Sequence, residues 1–572
     1  MTMNKYHRVL VPVAGATLMA VAALWPPGVA AATAASADQG YADANALMLN
    51  AEVALQRDHC REASIGYSTL ARQLSDVGVA ARATQVALDC GQPELAQQGV
   101  ARWRQLAPQD ADALLAGVSA QLALYRIPAA RAQWLQWLDS SAAKDDAAVN
   151  AAIASLVQQS SESAVAALLA STTHAKLRTA SLERTQALLA FETYDDNAAI
   201  AHAKRALAAG SDGNELPILI ARAQAGVGQA DAALASAASL KQTSADDAAL
   251  LRAEILQLLG RDKEAADAFD QLMDSKVAGV QRDARRLRAL LAVEEGDLTK
   301  AESLLTPMLR DPQGAAAAVY ELSTLAEQRG DNDAALRGYQ LLTGTELEAA
   351  ARQRSARLLC RQGARDAALN QLQVTASGGG VRERLEQKLG RAELLADCGA
   401  AEEGLRELAA PLKEMSGNSE LQYQRAVLLE RAGRTKESLA QFRILQAGRP
   451  QDPEIANALG FTLADHRQDL PHAEQLIRQA LMAQPDNPSM LDSLAWVRYQ
   501  RGAPREALPL LERAWNLLHN GDIGAHWGEV LWSLGQKSEA LAIWQKAYRQ
   551  DPDSDLLQKL LAQHPLQVDS ET

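Results

Sequence analysis

The chain has 572 residues, a formal charge of −13 and only 4% aromatic residues, against 48% hydrophobic residues among which alanine is very abundant. An acidic excess of this size disfavours nucleic acid or anionic lipid as the main partner, since both select a basic footprint. β-Branched runs bounded by turn residues are scarce, so the composition excludes an ordinary sheet protein and predicts an all-α chain.

At the N-terminus, Lys5 and Arg8 precede an apolar run from Val9 to Trp25 and then a small-residue stretch from Gly28 to Ala37. That order is a secretory signal peptide over residues 1–37, with cleavage near Ala32 or Ala37 expected in preference to a retained anchor because Pro12 and Gly15 interrupt the run. No cysteine occurs before Cys60, so there is no lipidation cysteine. The expectation is a periplasmic protein, free or peripheral to the outer membrane.

Residues 38–215 are expected to form divergent helical repeats, with hairpins from about Tyr41 to Leu74, Val79 to Pro108 and Asp112 to Leu138, and Trp103, Trp134 and Trp137 at large inter-helix positions. From Asp145 to Gly210 the chain is alanine-rich and weakly punctuated. Four cysteines form two sequence-local pairs, Cys60 with Cys90 and Cys360 with Cys398. Each pair is either a disulfide, as an oxidising compartment would allow, or two buried thiols. Neither pair has zinc-ligand spacing.

One element punctuates the chain: a glycine, four residues, then an alanine. It stands as Gly91/Ala96, Gly228/Ala233, Gly260/Ala265, Gly296/Ala301, Gly330/Ala335, Gly363/Ala368, Gly502/Ala507 and Gly535/Ala540, with small residues replacing alanine in Gly399/Gly404 and Gly433/Ser438. Successive glycines from Gly228 to Gly433 lie 32, 36, 34, 33, 36 and 34 residues apart, and the gap from Gly433 to Gly502 is two such units. The glycine closes a first helix in the left-handed conformation, and the small residue sits where the two helices of a hairpin nearly touch. Four residues on comes a large apolar side chain such as Phe269, Tyr339, Phe442, Leu511 or Trp544, and Ala480, Ala514 and Ala547 again allow close approach. Pro108, Pro450, Pro485 and Pro552 end second helices. A period near 34 is that of the tetratricopeptide helix-turn-helix, and it predicts an α-solenoid of roughly fifteen helical hairpins. Central repeats are expected over residues 216–450, with a loop at Ser377–Gly380 inserted between units, and C-terminal repeats over 451–572, ended by a capping helix from Asp555 to Gln563.

Catalytic spacings are missing. There is no H-E-x-x-H, no G-x-x-x-x-G-K-[ST] and no G-x-S-x-G; His472-Ala473-Glu474 reads as a solvated face, and Ser141-Ala142-Ala143-Lys144 lacks the companions of an S-x-x-K site. No enzyme, cofactor or metal is expected. The distinctive constellation is aromatic: Trp496, Trp515, Trp527, Trp532 and Trp544 fall in the last two complete units. Register assigns Trp527 and Trp544 to packing positions. It places Phe461, Asp492, Trp496, Tyr499, Gln500, Glu529 and Trp532 on the inner face of first helices, either as a partner-binding groove or as rings that touch the next hairpin.

The stretches Ala458–Asp465, Leu491–Val497 and Ala525–Trp532 resemble the C-terminal signature of a proteobacterial family of exported tetratricopeptide proteins. That family includes the lipoprotein partner of a periplasmic carboxyl-terminal processing protease. The resemblance covers about the last 120 residues and implies a spiral scaffold that binds the protease and presents peptidoglycan hydrolases to it. The lipoprotein's anchoring cysteine has no counterpart here. The expected function is a non-catalytic adaptor whose partners are proteins, with no nucleic acid or small-molecule substrate; the alternative is a scaffold for envelope polysaccharide export or outer-membrane assembly.

Overall fold

The structure, a computed structural model, describes residues 38–238, 240, 244–372, 380–552 and 554–564; the expected signal segment 1–37 and Ser377, Gly378 and Gly379 lie outside them. The described residues hold 31 α-helices and no strand. Thirty follow one another as fifteen pairs, from Asp38–Gln56 with Cys60–Gln73 to Gly521–Ser533 with Lys537–Gln550, and the last helix, Asp555–Gln563, is where a cap was expected. The three N-terminal hairpins begin and end within a few residues of their predicted bounds.

The physical basis of the repeat is visible at each turn. Gly91, Gly228, Gly260, Gly296, Gly330, Gly363, Gly399, Gly433, Gly502 and Gly535 all take positive φ, between 58° and 86°. Four side-chain-bearing residues hold the same conformation where the sequence shows no glycine: Asp58 (φ 61°), Tyr125 (53°), Tyr194 (58°) and Arg467 (51°). They fall 33 or 34 residues from Gly91, Gly91, Gly228 and Gly433, respectively. Each costs about 1–2 kcal/mol relative to glycine, so the surrounding packing must hold it in place. Arg467 is thus the turn of the unit hidden in the doubled gap.

The chain forms two compact units: residues up to Ser161 together with Pro411–Asn418, and Glu162–Ala410 together with Ser419 onward. The fourth helix pair, Asp146–Gln159 and Glu162–Ala170, is divided between them, and its turn runs through Ser160 in extended conformation (φ −140°, ψ 177°) instead of a left-handed residue. This accounts for the weak punctuation there. In the first unit Cys60 and Cys90, both fully buried, are joined in a disulfide with Cα atoms 5.3 Å apart, and Trp134 stacks on Trp137 at 5.0 Å.

In the second unit the predicted packing positions are filled. Ala233, Ala265, Ala301, Ala335, Ala368, Ala507 and Ala540 are fully buried, as are Phe269, Leu511 and Trp544. Gly404 shows why one repeat needs glycine: a Cβ there would lie 2.6 Å from the Ala392 carbonyl oxygen. First helices of neighbouring hairpins pack side by side, among them Glu215–Gly226 with Ala245–Leu258 and Pro453–Asp465 with Pro488–Gln500. Their second helices are splayed, so the row curves with first helices on the inside. The Cys360–Cys398 disulfide, Cα atoms 4.8 Å apart and half-buried, joins two of these first helices.

The same unit also meets itself much further along the chain. The backbone N–H of Asp486 donates to the Tyr194 carbonyl (3.0 Å), and the Asp486 carboxylate, wholly buried, accepts from the Asp196 N–H (3.0 Å) and pairs with Arg513. Arg549 donates to the Glu294 carbonyl (2.9 Å), Gln328 to the Arg549 carbonyl (2.7 Å), and Lys546 pairs with Asp262 (3.2 Å). One superhelical turn therefore rests on the next.

Candidate functional site

Three first helices build the inner face of the C-terminal hairpins: Pro453–Asp465, Pro488–Gln500 and Gly521–Ser533. Each is capped alike, because the side chains of Asp452, Asn487 and Asn520 accept the backbone N–H groups two and three residues on. Such a cap satisfies two orphan donors and fixes where the helix begins. Equal starts put equal offsets on one face, so Phe461, Trp496 and Glu529 are equivalent, as are Asn457 and Asp492, Tyr499 and Trp532, and Asp465 and Gln500.

A compact cluster results. Trp496 stacks on His526 (ring centroids 4.2 Å) and lies 5.2 Å from Tyr499, while Phe461 is 5.9 Å from His526. His526 Nδ1 is 2.9 Å from both carboxylate oxygens of Asp492. Trp496 Nε1 donates to Asp465 Oδ1 (3.1 Å), the Tyr499 hydroxyl donates to Glu529 (3.5 Å), and Arg467 Nε donates to Gln500 (2.8 Å). Of the predicted groove residues, the structure brings together Phe461, Asp492, Trp496, Tyr499 and Glu529, with Gln500 at the margin. It turns Trp532 elsewhere, onto Trp544 (5.6 Å) and His564 (4.2 Å), with Lys537 over the ring at 5.1 Å.

Register left Asp492 and Trp496 either in a binding groove or against the next hairpin, and for these two the structure has the second arrangement: they are only 1% and 5% exposed, because His526 from the next hairpin lies over both. One expectation needs correction. Glu474 was expected on a solvated face and is also buried; it accepts from Arg478 on its own helix and pairs with Arg498 and Arg501 of the next hairpin. His526 itself escaped the sequence reading. Its signal was there, since it follows Asp492 by 34 residues, one repeat period.

Electrostatics follow burial. Burial works against the His526 imidazolium, but the Asp492 carboxylate and the hydrogen bond to it outweigh that, so the pKa is raised. Burial pushes the Asp492 carboxyl up, and the imidazole pulls back without reversing it. Both shifts favour the protonated forms, so the pair holds a proton more readily than the two free groups would. Burial also raises Glu529, with Asp465 adding to the rise and His526, the Tyr499 hydroxyl and Arg467 opposing it. Ser493, next to Asp492 in the chain, donates its hydroxyl to the Ser489 carbonyl (2.8 Å). Among the described residues no group of three His, Cys, Asp or Glu side chains could hold a metal ion, and no helix is long and apolar enough to cross a membrane.

The polar contacts upstream differ in kind. Between neighbouring first helices run Arg184–Glu215 (2.5 Å), Arg222–Glu254 (2.7 Å), Arg286–Glu321 (3.0 Å), Arg354–Glu327 (3.0 Å), Arg357–Asp397 (3.5 Å) and Arg431–Asp397 (2.7 Å). There each acid meets an arginine one hairpin away. In the C-terminal cluster the acids meet ring donors.

No protein-family profile matches the chain. TPR repeat-containing protein PA4667 of Pseudomonas aeruginosa is 29% identical over 214 residues, 37% of this chain, and the chain spans about a third (36%) of that relative's length. Among solved structures, a thermophilic tetratricopeptide protein of Thermus thermophilus is 22% identical, covering 31% of this chain and 97% of that one, with a TM-score of 0.29. The Cut9–Hcn1 assembly of the APC/C is 14% identical, covering 93% and 98%, also at 0.29. YrrB, described as having an unusual peptide-binding site, is 17% identical, covering 31% and 91%, at 0.22. The 34-residue hairpin, its left-handed turns and the PA4667 similarity agree on one class: the chain is a tetratricopeptide-repeat α-solenoid.

Proposed function

We propose that this solenoid is a non-catalytic periplasmic adaptor that binds segments of other proteins on the inner face of its last three hairpins. The carrying observation is the change along that face, from self-paired arginines and acids upstream to the half-buried rings of Phe461 and Tyr499, backed by the covered Trp496 and flanked by Asp465 and Glu529. A face whose charges pair among themselves gives a ligand little to gain, whereas rings on a rigid, pre-positioned platform bind at low ordering cost. Proteins of this repeat class bind other proteins or peptides.

The finer reading is that the adaptor brings a carboxyl-terminal processing protease to peptidoglycan hydrolases, raising their effective concentration by holding both. The signature residues Ala458–Asp465, Leu491–Val497 and Ala525–Trp532 support it, as does the signal-peptide pattern of residues 1–37. The test is capture from periplasmic extract with the mature chain. Wild type should retain a processing protease or a cell-wall hydrolase, and Tyr499→Ala should lose it with the helical content unchanged. Retention of neither by the wild type sinks the protease reading, and equal retention by Tyr499→Ala sinks the assignment to this face.

A further inference from the structure

We infer that the Cys360–Cys398 disulfide is a redox-sensitive lock on the curvature of the second unit: opening it softens one joint of the coil and so releases the contacts that fasten one superhelical turn to the next. The lock is a property of the coil, whatever its inner face binds.

The hairpin that ends at this joint has a thin outer layer. In the five hairpins that follow, from Ala401–Glu414 to Lys537–Gln550, every second helix has 14 residues. Here the second helix is Arg365–Gln371, seven residues and the shortest α-helix among the described residues. Two turns of helix cover little of a neighbour. The buried core of the joint is accordingly small, Ala356, Ala368 and Leu394, with Cys360 and Cys398 packed against it. In the C-terminal hairpins one cluster holds Phe442, Leu459, Ile477 and Trp496. Stability in a solenoid is a sum of such neighbour interfaces, so where apolar burial is short the crosslink supplies the cohesion. What stands beside it is polar: Asp397 pairs with Arg357 (3.5 Å) and with Arg431 (2.7 Å).

Position in the coil makes a local loss global. The fastenings between turns join residues before Cys360 to residues after Cys398, as Tyr194 and Asp196 with Asp486, and Glu294 with Arg549. The disulfide therefore lies inside the loop that the fastenings close. A closed coil keeps its fastenings in register only while every joint between them holds its angle, and a joint free to rotate lets them part.

The bond is also reachable. Both cysteines are half-buried, whereas Cys60 and Cys90 are fully buried. Exchange begins when a thiolate of a dithiol reductant attacks one sulfur: the Cys360–Cys398 bond breaks, a mixed disulfide forms, and the other cysteine leaves as a thiolate that takes a proton. The reductant's second thiol then displaces the first cysteine. Two electrons and two protons have passed to the chain, and the reductant departs as its own disulfide.

The experiment titrates the mature chain with dithiothreitol to the point at which alkylation and mass spectrometry find Cys360 and Cys398 reduced and Cys60–Cys90 intact. Hydrogen exchange is then read at the Asp486 and Asp196 amides, which donate across the fastening, and small-angle scattering gives the radius of gyration. Both amides should exchange severalfold faster and the radius should grow, while Pro488–Gln500 and Gly521–Ser533 stay protected; reoxidation should restore the starting state. Cys360→Ser/Cys398→Ser should show the loosened state without reductant and no response to it. If that variant does not fold, the titration of the wild type decides alone. Unchanged exchange at both amides after reduction, loss of protection throughout the unit, or a double variant indistinguishable from oxidised wild type overturns the inference, as does a Cys60–Cys90 bond that opens first.

Discussion

Asp492 and His526 form the most exacting test of the C-terminal face, because both are almost wholly buried and each is the other's partner. Changing Asp492 to Leu leaves a neutral imidazole with an unsatisfied nitrogen, a loss of about 1–3 kcal/mol. Changing His526 to Phe leaves a buried carboxylate without its counter-ion, about 3–5 kcal/mol. Together, Asp492→Leu and His526→Phe leave neither charge nor orphan, and the new ring can stack on Trp496 4.2 Å away. The double variant should fall within about 1 kcal/mol of wild type, since apolar replacements of buried pairs are often neutral. pH supplies the second arm. A histidine whose pKa is raised on folding, here from 6.5, contributes stability that is fully present below 6.5 and lost as pH rises through the folded value. Asp492, raised by burial from 3.8, contributes with the same sign at lower pH. Wild type should therefore lose stability relative to the double variant as pH rises above 6.5. Urea unfolding with hydrogen exchange read over Pro488–Ser533 measures both arms. Additive single and double costs, or parallel pH profiles, would refute the reasoning.

Three more expectations concern the scaffold. Gly528→Ala places a Cβ 2.1 Å from Trp544 Nε1, which is fully buried and donates to the Ala525 carbonyl at 3.1 Å. Displacing that indole should cost about 2–5 kcal/mol from overpacking and the strained hydrogen bond, with exchange rising in Gly521–Gln563 and little before it. Asp486→Ala removes the acceptor of the Asp196 N–H and the partner of Arg513; small-angle scattering should show a larger radius of gyration, and an unchanged radius would show that this contact holds nothing. Under stepwise reduction, the half-buried Cys360–Cys398 bond should open before the fully buried Cys60–Cys90 bond, as mapped by alkylation and mass spectrometry.

The hairpins were legible because the repeat writes the same constraint many times. A glycine at each turn and a small residue five positions on fixed where helices end and how closely they pack, and the structure keeps both at every marked unit. Units whose turn is held by Asp58, Tyr125, Tyr194 or Arg467 were harder to see, since any residue can be forced left-handed if packing offsets the strain. The site was half legible. Register placed Phe461, Trp496, Tyr499 and Glu529 on one face, but burial depends on what the next hairpin lays over it, and His526 decides that for Asp492 and Trp496. The contacts of Asp486 with Tyr194 and Asp196 could not be read at all, because they depend on superhelical pitch, which small rotations between hairpins accumulate over many repeats.

That last feature changes the mechanics of the molecule. A solenoid with only neighbour contacts behaves as a soft spring, stretching and twisting by small rotations at each joint, and it can lose one end without the other noticing. Here Arg549 grips the Glu294 carbonyl and Asp486 grips the Tyr194–Asp196 turn, so adjacent coils are fastened together. Extension must first break these fastenings. Under load the second unit should yield in a discrete step before its hairpins peel away one by one, and at rest the curvature that positions its inner face is held stiff.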